Sequence, residues 1–206
     1  MSRPEIGLHI GDLITGRKGS DTIDGGAGID IVVYSESLSS AKITDVETDA
    51  GVVSWKVGLP SGDKDTVIAI ERLRFSDKNL ALDLDGNAGS VAKVLGAFLG
   101  GDGVANANYV GIGLQYLDAG GTYEELMMLA LSTVFGEILN SRTVVSTFYQ
   151  NLTGQIASEG VVTSYANLLD NGDLTILSLS LQVADNEINL SNINLVGLSV
   201  SGLEYS

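Results

Sequence analysis

The sequence predicts an α+β chain: a short parallel β-roll with capping strands, followed by a mostly α-helical region built from two related units. Residues 7–33 carry a nine-residue period of glycine, aspartate and apolar positions. Residues 34–84 alternate apolar and polar side chains with period two, as half-buried strands do. From Ala88 onward the period becomes helical, and Leu117-Asp118-Ala119-Gly120 returns 52 residues later as Leu169-Asp170-Asn171-Gly172. The expected divisions are 1–84 for roll and capping strands, 85–190 for the helices, and 191–206 for a tail.

Stacking the three nonapeptides puts Gly7, Gly16 and Gly25 in one column, Asp12, Asp21 and Asp30 in a second, and Ile14, Ile23 and Val32 in a third. The third copy, Gly25-Gly26-Ala27-Gly28-Ile29-Asp30-Ile31-Val32-Val33, fits G-G-x-G-x-D-x-U-x throughout, U being a large apolar residue. Glycines at the first, second and fourth places are expected to take positive φ, so that a tight turn aims its carbonyl oxygens at one point. The aspartate adds charge, and the apolar eighth residue points into the coil. Carbonyls and carboxylates without sulfur or imidazole suit Ca2+, a hard cation wanting six to eight oxygens. The candidate metal residues are therefore Asp12, Gly16, Gly19, Asp21, Gly25, Gly26, Gly28 and Asp30.

Two nonapeptides make one turn of such a roll, so facing turns lie 18 residues apart and Asp12 pairs with Asp30. Asp21 would need a partner near residue 39, where only Leu38, Ser39 and Ser40 stand; its site is expected to be incomplete or to use other oxygens. The stretch resembles the haemolysin-type, or RTX, calcium-binding repeat of bacterial proteins exported by type I secretion. That resemblance implies a calcium-binding module of a secreted or cell-surface protein of a Gram-negative bacterium, with the type I machinery as its partner during export.

Composition agrees with that expectation. The 206 residues are 44% apolar, enough for a real core, with 26 glycines, 2 prolines and no cysteine, so neither disulfides nor a thiolate metal site can form. Twenty-six acidic against 11 basic residues give a formal charge of −15, which disfavours nucleic-acid binding and invites cations. No run of eighteen apolar residues suggests a membrane span. The start, Met1-Ser2-Arg3-Pro4-Glu5, lacks an apolar signal region, and its abrupt entry into the repeats is what a piece of a longer protein would show.

Val53, Trp55, Val57 and Leu59 read as one strand, and Leu80, Leu82 and Leu84 as another. Between them, the segment from Asp65-Thr66-Val67 through Glu71-Arg72-Leu73-Arg74-Phe75-Ser76-Asp77 resembles the form that closes RTX rolls, and is expected to cap the open end. Asp83-Leu84-Asp85-Gly86-Asn87 begins like an EF-hand loop. Ala88 replaces the required glycine and Val94 the bidentate glutamate, so an Asx turn and helix N-cap is the favoured reading over a metal site.

Six helices are expected: one around Val91 to Phe98, then 106–117, 123–134, 142–152, 158–169 and 174–184. Gly120 and Gly172 supply the left-handed residue that ends a helix. Phe148-Tyr149-Gln150-Asn151-Leu152-Thr153-Gly154, Ser158-Glu159-Gly160 and Leu168-Leu169-Asp170-Asn171-Gly172 resemble the DUF4214 family. Gln155, Ala157 and Ser158 depart from its pattern, and Gly160 falls one place early. The resemblance covers roughly residues 88–190 and implies a helical module found beside RTX repeats in secreted and surface proteins. Two alternatives to a calcium-dependent exported module stand beside it: a surface domain whose helices hold a polysaccharide or S-layer partner, and the targeting tail of a secreted enzyme such as a protease, lipase or glycan-active enzyme. The tail from Asn192 to Ser206, apolar and rich in small residues, resembles an uncleaved C-terminal export signal; a last strand or helix packing on the domain is the other reading.

No catalytic constellation stands out, and no enzyme activity is expected. His9 is the sole histidine, and neither a G-x-S-x-G elbow nor a phosphate-cradling loop occurs. Glu124 and Glu125 suit a helix's first turn, and Asn151-Leu152-Thr153, a glycosylation acceptor by pattern, is discounted in a bacterial helix.

Overall fold

The computed structural model describes residues 4–6, 11–47, 53–137 and 139–206. The expectations for Gly7 and His9 lie outside the described residues. The fold is α+β, and the chain divides into two compact units: residues 1–84 with 197–206, and residues 85–196.

In the first unit the chain coils between two sheets. Strands β1 (Pro4–Ile6) and β3 (Thr22–Asp24) lie in one sheet, β2 (Leu13–Thr15) and β4 (Ile31–Val33) in the other. Both pairings are parallel, Pro4 opposite Thr22 and Leu13 opposite Ile31, which is the 18-residue register of a coil with two nonapeptides per turn. Three-residue strands this short stay paired because their eighth-place residues pack inward: Ile23 and Val32 are fully buried.

The period then breaks. A 3₁₀ turn at Leu38–Ser40 leads to β5 (Lys42–Glu47) and β6 (Val53–Gly58), antiparallel to each other. Strand β7 (Lys64–Ile68) runs between β6 and β3, parallel to β3 with Thr66 opposite Thr22, giving the first sheet the order β1-β3-β7-β6-β5. Strand β8 (Arg72–Arg74) pairs parallel with β4, Arg72 opposite Ile31. The segment expected to lie over the roll as a cap is thus its last rung, with Val67 and Leu73 completing the inward column. Strands β9 (Asn79–Ala81) and β10 (Leu203–Tyr205) finish the second sheet, antiparallel to their neighbours. The C-terminal residues therefore form an edge strand, Leu203 opposite Ala81 and Lys78 paired with Glu204 at 2.7 Å. Trp55, Val57, Tyr34, Phe75 and Leu80 fill the space between the sheets, Tyr34 stacked on Phe75 at 5.2 Å.

The second unit is helical: α1 (Asn87–Leu99), α2 (Gly101–Val104), α3 (Ala107–Asp118), α4 (Tyr123–Phe135), α5 (Ser141–Thr153), α6 (Glu159–Asp170), α7 (Ile176–Ala184) and α8 (Glu187–Asn192), with α9 (Leu195–Ser201) crossing the boundary between the units. The ends are closed by side chains. Asn106, Asn140, Ser158, Thr175 and Asn186 each accept from a first-turn amide, and Thr122 with Glu125 makes a capping box. The expected cap at residues 83–87 is corrected: Gly86 occupies the N-cap with no side-chain bond. Asp83 is taken by the buried Arg72 guanidinium, and Asn87 donates to Asp118 at 2.9 Å.

The internal repeat is visible as a three-helix unit used twice, α1-α3-α4 and α5-α6-α7. Gly120 and Gly172 both take positive φ, 95° and 79°. Asn87 reaches Asp118, and Ser141 reaches Asp170 at 2.6 Å, tying the start of the first helix to the end of the second in each unit. Buried positions correspond as well: Val91 with Val145, Val94 with Phe148, Val110 with Val162, Leu126 with Leu179.

Candidate functional site

The candidate site is the pair of edges where the turns of the roll stack. On the first edge lie Gly11 and Asp12, the turn at residues 25–30, and the short turn Ala69-Ile70-Glu71. On the second lie the turn at residues 16–21 and the one at 59–65.

The sixth-place residues form a regular ladder. The Asp12 amide donates to Asp30 Oδ1 at 2.7 Å, the Asp30 amide to Glu71 Oε2 at 2.8 Å, and on the other edge the Asp21 amide to Asp65 Oδ1 at 2.9 Å. The carbonyls of the same three aspartates accept from Ile31, Arg72 and Thr66. Each carboxylate thus closes the backbone of the rung before it. The Asp12–Asp30 pairing at 18 residues has the register the period requires.

Asp21 does find other oxygens. Its partner is Asp65, 44 residues on, because the excursion through β5 and β6 adds 26 residues to the 18-residue step (44 − 18 = 26). Asp63 assists by accepting from the Gly19 amide at 3.3 Å, and Ser20 accepts from the Lys64 amide. Glu71 was also missed. Six residues separate Thr66 from Arg72 where nine separate Thr22 from Ile31, so the last turn is three residues shorter (9 − 6 = 3). Glutamate, one methylene longer than aspartate, still reaches the Asp30 amide from that shortened turn. Ala69 bends it with φ 48°. The similarity of Asp65-Thr66-Val67 to Asp21-Thr22-Ile23 was the available signal for the fourth rung.

The glycines divide into two kinds. Gly19, Gly26 and Gly28 take positive φ, as expected. Gly25 does not, and its need is space: a Cβ there would stand 2.2 Å from the Ala69 carbonyl oxygen and 2.7 Å from Asp30 Oδ2. Gly11 has the same role beneath the Ile29 carbonyl, 2.5 Å from where its Cβ would be. Gly16 faces Asp65 Oδ2 more loosely, at 3.3 Å.

In Asp30 and Asp65 one carboxylate oxygen serves the ladder and the other is left over. Asp30 and Asp65 are both 0% exposed, and Asp30 Oδ2, Asp65 Oδ2 and Asp21 Oδ2 have no hydrogen-bond partner. Burial is the largest influence on Asp30, Asp65 and Glu71. It pushes each carboxyl above its ordinary range despite the backbone amides that favour ionisation. The Tyr34 hydroxyl, buried beside Asp65, is driven up by burial and then by that carboxylate's charge. Among the described residues, no three His, Cys, Asp or Glu side chains gather into a metal-holding group. What the turns offer a cation is an orphaned carboxylate oxygen with a nearby carbonyl, as Asp30 Oδ2 and the Ala69 carbonyl are beside Gly25. These are donors of the type hard cations take, two of the six to eight oxygens that calcium wants.

No family model matches the chain, and no curated protein matches it. Among solved structures, the crystal structure of extracellular lipase LipA from Serratia marcescens is similar over 37% of this chain and 13% of that one, at 20% identity and TM-score 0.21. The chain spans only that small part of the lipase's length, and a likeness so slight carries no argument about what the chain does. No helix among the described residues is long and apolar enough to cross a membrane.

Proposed function

We propose that the first unit is a calcium-stabilised β-roll belonging to a secreted or cell-surface bacterial protein exported by the type I route. The observation that carries this reading is the pair of fully buried aspartates, Asp30 and Asp65: Asp30 Oδ2 has no partner, and Asp65 Oδ2 has beside it only the Tyr34 hydroxyl, too loosely placed for a full hydrogen bond. A buried carboxylate without compensation is costly, and the chain's formal charge of −15 adds general repulsion. Bound calcium would supply the positive charge that the turns lack.

The protein's own groups do the rest. Asp30 and Asp65 hold the preceding rung's amide through Oδ1, which leaves Oδ2 over Gly25 and Gly16. The absent side chain of Gly25 keeps that oxygen and the Ala69 carbonyl in reach of one point. Extracellular calcium modules bind with dissociation constants of about 10⁻⁴ to 10⁻³ M, so such sites stay largely empty in cytosol and fill outside the cell. At ten times the dissociation constant, linkage stabilises the fold by about 1.4 kcal/mol per site. Export of an unfolded chain followed by ordering of the roll is consistent with that affinity.

The test is the melting temperature of the full chain across a calcium titration, with Asp30→Ala beside it. Calcium should raise the wild-type transition, and the variant should lose part of that rise. An unchanged rise in Asp30→Ala would reduce these nonapeptides to structural turns.

A further inference from the structure

The two repeated units of the helical region enclose two grooves in equivalent places, and their linings differ. The first, of about 280 Å³, lies between α1, α3 and α4; the second, of about 400 Å³, between α5, α6 and α7, with Asn186 at the α8 cap. Their floors match in kind: Val91, Val94 and Leu126 in one, Val145, Phe148 and Leu179 in the other. The rims do not. Where the first groove has Leu95, Gly113, Leu129 and Thr133, the second has Tyr149, Tyr165, Gln182 and Asn186.

Three of those four residues lie outside the packed core, and Tyr149 is half-buried. Tyr165 is 45% exposed, and Gln182 and Asn186 are exposed. Among the described residues, neither tyrosine hydroxyl nor the Gln182 amide has a hydrogen-bond partner. Asn186 uses its side-chain oxygen to cap α8 through the Ile188 amide at 2.9 Å, and its amide nitrogen donates to no described group. The second groove is therefore rimmed by two tyrosines and by two amides with spare donors, around an apolar floor. No charged residue lines it, although the chain as a whole is strongly acidic. An anionic ligand would enter an unfavourable field with no cation to hold it, and a cationic one would find no carboxylate.

We propose that this groove binds a neutral oligosaccharide. A pyranose has one face of C–H bonds, which lies against a tyrosine ring, and a circumference of hydroxyls that exchange hydrogen bonds with amides. Tyr149 and Tyr165 supply the rings, and Gln182 and Asn186 the amides. A mainly apolar cleft with a few placed polar groups is the usual form of a small-ligand site. The first groove, with leucine and threonine in the amide places, lacks that chemistry and serves as an internal control. The assignment does not depend on the calcium reading, because every lining residue belongs to the helical unit.

The experiment is isothermal titration of the full chain with maltohexaose, cellohexaose, laminarihexaose and mannohexaose, alongside hexagalacturonate and a polyproline peptide, in calcium and again in chelator. At least one neutral hexasaccharide should bind under both conditions. Tyr165→Ala and Gln182→Leu should each weaken that binding about tenfold, whereas Leu129→Gln in the first groove should leave it unchanged. The circular dichroism of each variant should match wild type, since both substituted residues are exposed. Binding by none of the neutral sugars, binding by hexagalacturonate or polyproline alone, or binding that survives both variants overturns the proposal. Loss of calcium-dependent melting with sugar binding intact would remove the calcium reading and leave this one standing.

Discussion

The roll and the helical unit close their backbones by opposite means. In the helical unit the exposed ends of helices are met by neutral or solvent-facing side chains: Asn106, Thr122, Asn140, Ser158, Thr175 and Asn186 each cap a helix locally. In the roll the same task falls to carboxylates that reach across 18, 41 or 44 residues, and two of them, Asp30 and Asp65, are fully buried with an oxygen left over. Local caps make a fold that owes little to ions. Long-range carboxylate closure makes one whose stability depends on what neutralises the charge.

The largest effect that would sharpen this contrast lies in the helical core. Phe148 is 2% exposed and sits against Phe98 at 5.2 Å and Phe135 at 6.0 Å, so Phe148→Ala should cost about 4 kcal/mol. Urea titration should find the same loss in calcium and in chelator. A calcium-dependent loss would break the comparison.

Next comes Gly25→Ala in the roll. Its Cβ would meet the Ala69 carbonyl oxygen at 2.2 Å, and that contact is with backbone that cannot swing away. The expected cost is about 3 kcal/mol. Gly19→Ala, with φ 113° and open space around it, should cost only about 1 kcal/mol. Equal costs would mean that the turns do not stack so closely. Thr122→Ala removes a capping box and should cost about 1 kcal/mol, again without regard to calcium.

The smallest effect is the pH response, and its sign distinguishes the two kinds of closure. Asp30, Asp65 and Glu71 have raised folded-state values, so their charged forms oppose folding. That opposition is complete above the raised values and relieved as pH falls through them toward the ordinary 3.8 and 4.5. In chelator, the roll's melting temperature should rise as pH is lowered through those raised values. In calcium the gain should shrink, since protons and metal compete for the same oxygens. Glu125 moves the other way. Held low by the Thr122 amide, it contributes stability that is lost as pH falls through its depressed value.

Much of the roll was legible because its period is short and its partners near. Ile23 and Val32 stand inward, and the 18-residue register follows from counting. Asp65 and Glu71 were hidden for physical reasons. A 26-residue antiparallel excursion interrupts the count before Asp65, and the fourth rung keeps few of the glycines that mark a turn. The final turn drops three residues and changes aspartate to glutamate, so neither spacing nor residue type survives. Helices were legible from their apolar period and from Gly120 and Gly172. The grooves were not, because each lining is assembled from three helices whose residues are separated by tens of positions.

The most direct test replaces the two orphaned carboxylates with their neutral isosteres, in Asp30→Asn with Asp65→Asn, and compares melting in calcium and in chelator. The amide oxygen can still accept from the Asp12 and Asp21 amides, so the ladder is retained while the buried charge is removed. The account predicts that in chelator the variant melts at or above wild type, whereas calcium raises the wild-type transition and leaves the variant's nearly where it was. A wild-type chain indifferent to calcium, or a variant that keeps the full calcium response, would contradict it.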